Sequence, residues 1–202
     1  MEFKTIKEYA RAETVERKSR FIAEAQPVET EEAARAFIEE RKVLFNDATH
    51  VCFAYVLGAG GENFRSYDAG EPGGTAGAPI LNAIKKGNLT GVVLTVTRYF
   101  GGIKLGMGGL SAAYAKSAVS VLECTETVIK KLCSVFNAVC SYADFEALKY
   151  SLRATPHSII SVDYAQEVSA LIAVQKEFKN ALAVAAAGKF AVTEIKEGYI
   201  VL

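Results

Sequence analysis

The 202-residue chain contains no Trp, 4 Pro, 4 Cys and 2 His. Cys52, Cys124, Cys133 and Cys140 form no Cys-x-x-Cys pair, and His50 and His157 lie far apart. A structural zinc site needs four clustered thiolate or imidazole ligands, so no metal or other cofactor is expected. The thiols read as reduced and mostly buried, which suits a cytoplasmic protein. An excess of one charge is also missing, with 23 Lys+Arg against 23 Asp+Glu. Cut after Glu123, the chain carries 15 basic and 15 acidic residues before the cut and 8 of each after it, so neither part is a basic module. Coating nucleic acid by bulk electrostatics needs many phosphate neutralisations and is thereby excluded; any such contact must be a local patch. The chain also lacks long apolar runs. Its start, MEFKTIKEYARAETVERKSRF, is charged throughout and holds no signal-peptide core, and later apolar segments are broken by Lys, Arg or Gly short of the ~20 residues of a membrane span. With 50% hydrophobic and 23% charged residues, disorder does not fit either.

Periodicity and turn signals then order the chain. The first segment that reads as a strand is Ser19 to Gln26, closed by Pro27. Thr30 followed by Glu31 and Glu32 is a helix start, and Ala33, Ala34, Phe37, Ile38, Arg41, Leu44 and Phe45 keep the 3.6-residue period. His50 to Leu57 is apolar enough for a central strand. Residues 62–79, ENFRSYDAGEPGGTAGAP, are too rich in glycine and proline for a periodic element and read as an ordered loop, followed by a short helix from Ile80 to Lys86. Gly91 to Tyr99 is a β-branched strand, Gly101 to Gly109 a second glycine-rich loop, and Leu110 to Leu122 a helix of small residues. After Glu123 the composition shifts: only Gly188 and Gly198 of the 16 glycines lie beyond it. Strand, helix, two strands, helix and strand follow, the βαββαβ order of a ferredoxin-like domain. The expected fold class is α+β, with domains at 1–125 and 131–202.

Two loops carry the chemistry. In TRYFGGIKLGMGGL, Gly101, Gly102 and Gly106 permit positive φ or close approach, and a helix opening near Leu110 or Ser111 would aim free N–H groups into the loop. Arg98 and Lys104 would add charge, and Tyr99 and Phe100 stacking surface. The segment is neither a Walker A sequence nor GxGxxG, so anion binding and tight loop packing stand as alternatives. In the other loop, Asp68, Glu71 and Thr75 offer acid/base or Mg²⁺ chemistry, against the plainer reading that the carboxylates cap a turn or pair with Arg65 or Arg98. His50 and Cys52 are two apart on one strand face, about 7 Å, too far for a nucleophile pair, so Cys52 reads as core and His50 as a strand-end residue near the loops.

The segments Lys18-Ser19-Arg20-Phe21, Ala48-Thr49-His50-Val51-Cys52, Gly70-Glu71-Pro72-Gly73-Gly74-Thr75-Ala76-Gly77, Thr97-Arg98-Tyr99-Phe100-Gly101-Gly102 and Leu105-Gly106 resemble, in order and spacing, those of the YigZ/Impact family. The resemblance implies a ribosomal protein S5 domain 2-like domain over about residues 15–122, followed by the ferredoxin-like domain of the bacterial members. It also implies a link to translation. The eukaryotic members compete for an activator of an eIF2α kinase but carry an additional N-terminal domain, so that partner is not transferred. Where family members often show two acidic residues before Gly-Glu-Pro, Asp68 is here followed by Ala69, which weakens a two-carboxylate metal site.

Three functions are compatible with these features. The first is a non-catalytic contact with RNA, the ribosome or a translation factor through the glycine-loop surface and the ferredoxin-like sheet, with Arg17, Lys18, Arg20, Arg98 and Lys104 meeting phosphates and Tyr99 and Phe100 stacking on bases. The second is an enzyme acting on a phosphorylated small molecule or nucleotide between the two loops, Lys104 holding the anion and Glu71 or His50 serving as base. The third uses the C-terminal domain as a dimerisation or regulatory surface. The first is the expectation.

Overall fold

The computed structural model describes residues 2–186 and 188–202. The chain divides into two compact units, Phe3–Val128 and, chiefly, Ile129–Leu202.

The first unit holds β1 (Glu2–Ile6), β2 (Ala10–Glu16), β3 (Ser19–Pro27), α1 (Glu31–Leu44), β4 (His50–Leu57), β5 (Asn63–Tyr67), α2 (Gly77–Lys86), β6 (Val92–Tyr99) and α3 (Gly106–Glu123). Five of the strands form one sheet in the order β2-β3-β6-β4-β5, antiparallel throughout. Period-two alternation sends Cys52, Ala54 and Val56 of β4 to the face covered by α2 and α3, and Phe53, Tyr55 and Leu57 to the face covered by α1. Both faces of the central strands are buried, so β6 is buried from Val92 to Arg98 and is rich in β-branched residues. Thr30 caps α1 by accepting from the Ala33 N–H at 3.2 Å, and Ala34, Phe37 and Ile38 make its buried stripe. Arg41 of α1 reaches the buried Glu24 of β3 at 3.0 Å, and Tyr9 donates to the same oxygen at 2.7 Å.

Four features depart from the sequence reading. β1 and β2 precede Ser19. β2 was hidden because it is an edge strand whose inner face is small residues, Ala10, Ala12 and Thr14, against α3. Residues 62–79 are not loop throughout: β5 pairs with β4 in register from Leu57↔Asn63 to Phe53↔Tyr67. Every β5 residue is exposed, so burial leaves no apolar alternation to read. α2 begins at Gly77 rather than Ile80, and α3 at Gly106 rather than near Leu110, its glycines falling in the opening turn.

The second unit runs β7 (Thr127–Cys140), α4 (Tyr142–Ser151), β8 (His157–Tyr164), β9 (Val168–Gln175), α5 (Asn180–Ala186) and β10 (Ala191–Val201). Its strands pair antiparallel in the order β10-β7-β9-β8. α4 is capped by Ser141, which accepts from the Asp144 N–H at 3.1 Å, and Phe145, Leu148 and Leu152 pack with Leu182 of α5 over Phe136, Ala138, Ala170 and Ile172.

Two glycines are steric necessities. A Cβ at Gly77 would lie 2.6 Å from the Tyr67 nitrogen, and one at Gly101 would lie 2.0 Å from the Lys18 carbonyl carbon. Gly77→Ala should therefore destabilise by about 1–3 kcal/mol through overpacking. Gly108→Ala, at a helical position with open space around it, should stabilise by up to about 1 kcal/mol. Urea unfolding of the two variants measures both, and equal shifts of the same sign would refute the packing assignment.

Candidate functional site

Three motif segments meet at one end of the first unit's sheet, and their polar groups bond mainly to one another. Arg98, on the last turn of pleat of β6, is 5% exposed. It donates from Nη1 to Glu71 Oε1 at 2.7 Å and from Nη2 to Ser19 Oγ at 3.4 Å. Tyr114, at the centre of α3, donates to the same Glu71 oxygen at 2.8 Å. Its ring stands edge-on to Phe21, with centroids 5.2 Å apart. Cys52 Sγ has two acceptors within reach of its single proton, the Asp68 carbonyl at 3.1 Å and Tyr114 Oη at 3.4 Å. Burial pushes the Cys52 thiol up to about 12 and the Tyr114 phenol upward as well. A thiol so held stays protonated at neutral pH, which makes Cys52 a core residue rather than a nucleophile.

Asp68 organises the Gly-Glu-Pro loop. Its carboxylate accepts from the backbone N–H groups of Gly74 at 2.9 Å, Ala76 at 3.0 Å and Gly77 at 2.8 Å. Thr75 donates to the Pro72 carbonyl at 2.6 Å, closing the turn. Partial burial raises the Asp68 pKa, but the three N–H bonds outweigh it and hold the carboxyl below its ordinary value. The turn-capping reading of Asp68 and the Arg98 pairing of Glu71 are thus what the geometry contains. Among the described residues, no group of three or more His, Cys, Asp or Glu side chains is placed to hold a metal.

His50 sits at the start of β4, partly open to solvent. Its Nδ1 lies 2.8 Å from the Ala69 carbonyl, which can only accept, so Nδ1 carries a proton, and Nε2 lies 3.9 Å from Glu71 Oε2. The ring also underlies Gly70, whose φ is +89°.

The second glycine loop is anchored by backbone. Ser19 Oγ accepts from the Gly101 N–H at 3.1 Å, and Thr49 Oγ1 accepts from the Phe100 N–H at 3.0 Å. Tyr99 donates to Asp47 at 2.8 Å. Gly101 lies against the tip of the β2–β3 hairpin, where Arg17 and Lys18 take φ of +44° and +67°. Two non-glycine residues in the left-handed region form the two-residue turn that suits strand twist, at some conformational cost. Arg17, Lys18 and Arg20 are exposed, Arg20 pairing with Glu13 at 2.6 Å and lying 5.7 Å from the Tyr99 ring centroid. Phe100 is 47% exposed, Ile103 42% and Met107 63%, with Lys104 exposed among them.

The structure therefore gathers Glu71, Arg98 and His50 into one buried or half-buried cluster, turns Thr75 onto its own loop at Pro72, and leaves Arg20, Phe100, Gly102, Lys104 and Gly106 outside it. Two expectations are corrected. Arg98 is not offered to phosphates, since its guanidinium is buried against Glu71. Ser111 does not open α3, which begins five residues earlier. Tyr114 and Ser19 were not singled out, although both bond to the cluster. An aromatic residue in an otherwise small-residue helix, Ser-Ala-Ala-Tyr-Ala-Lys-Ser-Ala, is the signal that could have found Tyr114.

Residues 17–122 match the Impact N-terminal domain. The IMPACT family member YvyE of Bacillus subtilis (strain 168) is 38% identical over 177 residues, 88% of this chain and 82% of that protein. The IMPACT family member YigZ of Escherichia coli (strain K12) is 35% identical over 150 residues, 73% of this chain and 74% of that protein. The solved structure of a hypothetical protein superposes with a TM-score of 0.64 at 30% identity, over 96% of this chain and 98% of that one.

The lowered Asp68 pKa makes a pH prediction. Ionised Asp68 contributes stability above its unfolded value of about 3.9, and that contribution is lost as pH falls through the lower folded value. Asp68→Asn should cost about 1–3 kcal/mol at pH 7, with the gap to the unsubstituted protein closing below about pH 4. Denaturant titrations at pH 7 and pH 3 read this out, and a gap that stays constant would contradict it.

Proposed function

Because the chain belongs to the IMPACT family, we propose that it is a non-catalytic, translation-linked binding protein, contacting RNA, the ribosome or a translation factor through the second glycine loop and the β2–β3 hairpin tip. The family resemblance supplies the link to translation. The observation that carries the surface is the contact at Gly101, which holds the Lys18 backbone and the Phe100–Lys104 loop together. Arg17, Lys18 and Lys104 lie on these two pinned segments, and the exposed side chains of Phe100, Ile103 and Met107 lie on or next to them. A pinned patch of cations and apolar groups loses little conformational freedom on binding. The cluster beneath it supports the binding reading because Glu71 is charge-paired with Arg98 and hydrogen-bonded by Tyr114 before any ligand arrives. The neutral net charge is no obstacle to a patch of this size.

Three phosphate contacts predict a measurable salt slope. Affinity for single-stranded RNA should fall about 20-fold between 50 and 200 mM salt. Arg17→Ala, Lys18→Ala and Lys104→Ala together should flatten the dependence. Affinity indifferent to salt, or no retention on RNA or ribosomes, would refute the proposal.

A further inference from the structure

A second surface of the first unit lies outside every motif considered above. α1 covers only part of its sheet face, and beside it a groove of about 330 Å³ opens toward the edge strand β5. Phe53 and Tyr55 of β4 form the floor, Arg35, Ile38, Glu39 and Lys42 of α1 one wall, and Arg65 and Tyr67 of β5 the other. The register explains the second wall: Tyr67 stands opposite Phe53 and Arg65 opposite Tyr55, so both side chains rise on the α1 side. The Tyr67 ring leans on Phe53, with centroids 5.6 Å apart and planes at 39°, yet it remains 51% exposed. It is thus a supported aromatic platform with a free side.

The charge around the platform is unbalanced toward cations. Arg35, Lys42 and Arg65 face two carboxylates, Glu39 of the lining and Glu31 beside it, which holds Arg35 and Tyr55 and feels the Arg65 charge. Lys42 pairs with Glu39 at 2.7 Å, and Arg35 with Glu31 at 2.6 Å, both exposed pairs of the kind that contribute little and re-aim at low cost. The Arg65 side chain makes no direct hydrogen bond or ion pair among the described residues, its charge acting on Glu31 and Tyr55 from a distance. Tyr55 is tied to Glu31 through its hydroxyl at 2.9 Å, which fixes the floor.

We propose that this groove holds one nucleotide of a single-stranded nucleic acid, its base stacked on Tyr67 and its flanking phosphates met by Arg65, Arg35 and Lys42. The combination of an exposed, supported ring with guanidinium and ammonium groups is the sequence-tolerant chemistry of single-strand binding. Its volume is at the low end of small-ligand pockets, ~300–1,000 Å³, which suits one nucleotide better than a folded partner. The exposed edge of β5 would let the rest of the strand run on across the surface. The inference rests on the RNA-binding reading above but assigns a different surface.

The test uses the full chain with fluorescently labelled eight-residue RNA and DNA of one sequence, read by anisotropy, alongside retention on ribosomes. Tyr67→Ala should weaken oligonucleotide binding at least about fivefold, the loss of one stacked base, while Tyr67→Phe stays within about twofold. Arg65→Ala should weaken it and lower the salt slope. A preference for the RNA strand would identify 2′-hydroxyl reading, and equal affinity would identify base and phosphate chemistry alone; both fit the groove. Tyr67→Ala and Arg65→Ala binding as the unsubstituted protein does would overturn the groove while leaving the glycine-loop surface standing. Failure of the unsubstituted chain to bind either oligonucleotide, with ribosome retention intact, would do the same. A polyglutamate peptide displacing the oligonucleotide at equal charge concentration would overturn it in favour of an acidic protein partner. Loss of both oligonucleotide and ribosome binding would overturn the parent reading as well.

Discussion

The Arg98–Glu71 ion pair is the interaction on which the candidate site depends. Both side chains are almost fully removed from water, and two charges taken inside cost several kcal/mol unless they are paired and otherwise hydrogen-bonded. Here the pairing is shared with Tyr114 on the same carboxylate oxygen and with Ser19 on the guanidinium. Through those four groups β6, the Gly-Glu-Pro loop, α3 and the start of β3 are joined at one point. Because Ser19 also accepts from Gly101, the same point sets the height of the second glycine loop. Truncating Arg98 or Glu71 would leave an uncompensated buried charge, and truncating Tyr114 or Ser19 would leave that pair short of a hydrogen bond, so the motif residues are constrained together rather than one at a time.

This arrangement separates the residues that build the loops from those the loops display. Asp68 and Thr75 spend their oxygens on the turn, and Glu71 and Arg98 on each other. What reaches solvent is Phe100, Ile103, Lys104 and Met107, together with the Arg17-Lys18 turn whose backbone lies in the left-handed region. Strain of that sort persists only when the surroundings over-determine it, and Gly101 against Lys18 provides that constraint. Affinity, on this account, resides in side chains the motifs position rather than in the buried motif residues themselves.

The elements legible in the sequence are those whose burial creates a period. α1 has its cap, acidic first turn and apolar stripe, while β4 is largely apolar and β6 β-branched because both their faces are covered. The α+β class and the order of elements after Glu123 follow from the same kind of signal. β2 and β5 escaped because they are edge strands with small or exposed side chains, for which pairing to a neighbour supplies what apolar alternation does not. In the site, the pairing of Glu71 with Arg98 is one of the alternatives the charged residues of the loops leave open. Tyr114 is not legible there, since it lies 43 residues from Glu71 and meets it only when α3 packs on the sheet. The α1–β5 groove was equally invisible, being made of one helix wall and one strand that burial does not announce.

The account stands or falls on whether the loops are a fixed scaffold. Native-state hydrogen exchange of the Gly74, Ala76, Gly77 and Gly101 amides measures this directly. Their N–H groups, bonded to Asp68 and Ser19, should exchange orders of magnitude more slowly than exposed-loop amides and approach the protection of β4 and β6. Exchange at the rate of an unstructured loop would contradict the claim that the motif residues hold these loops in place.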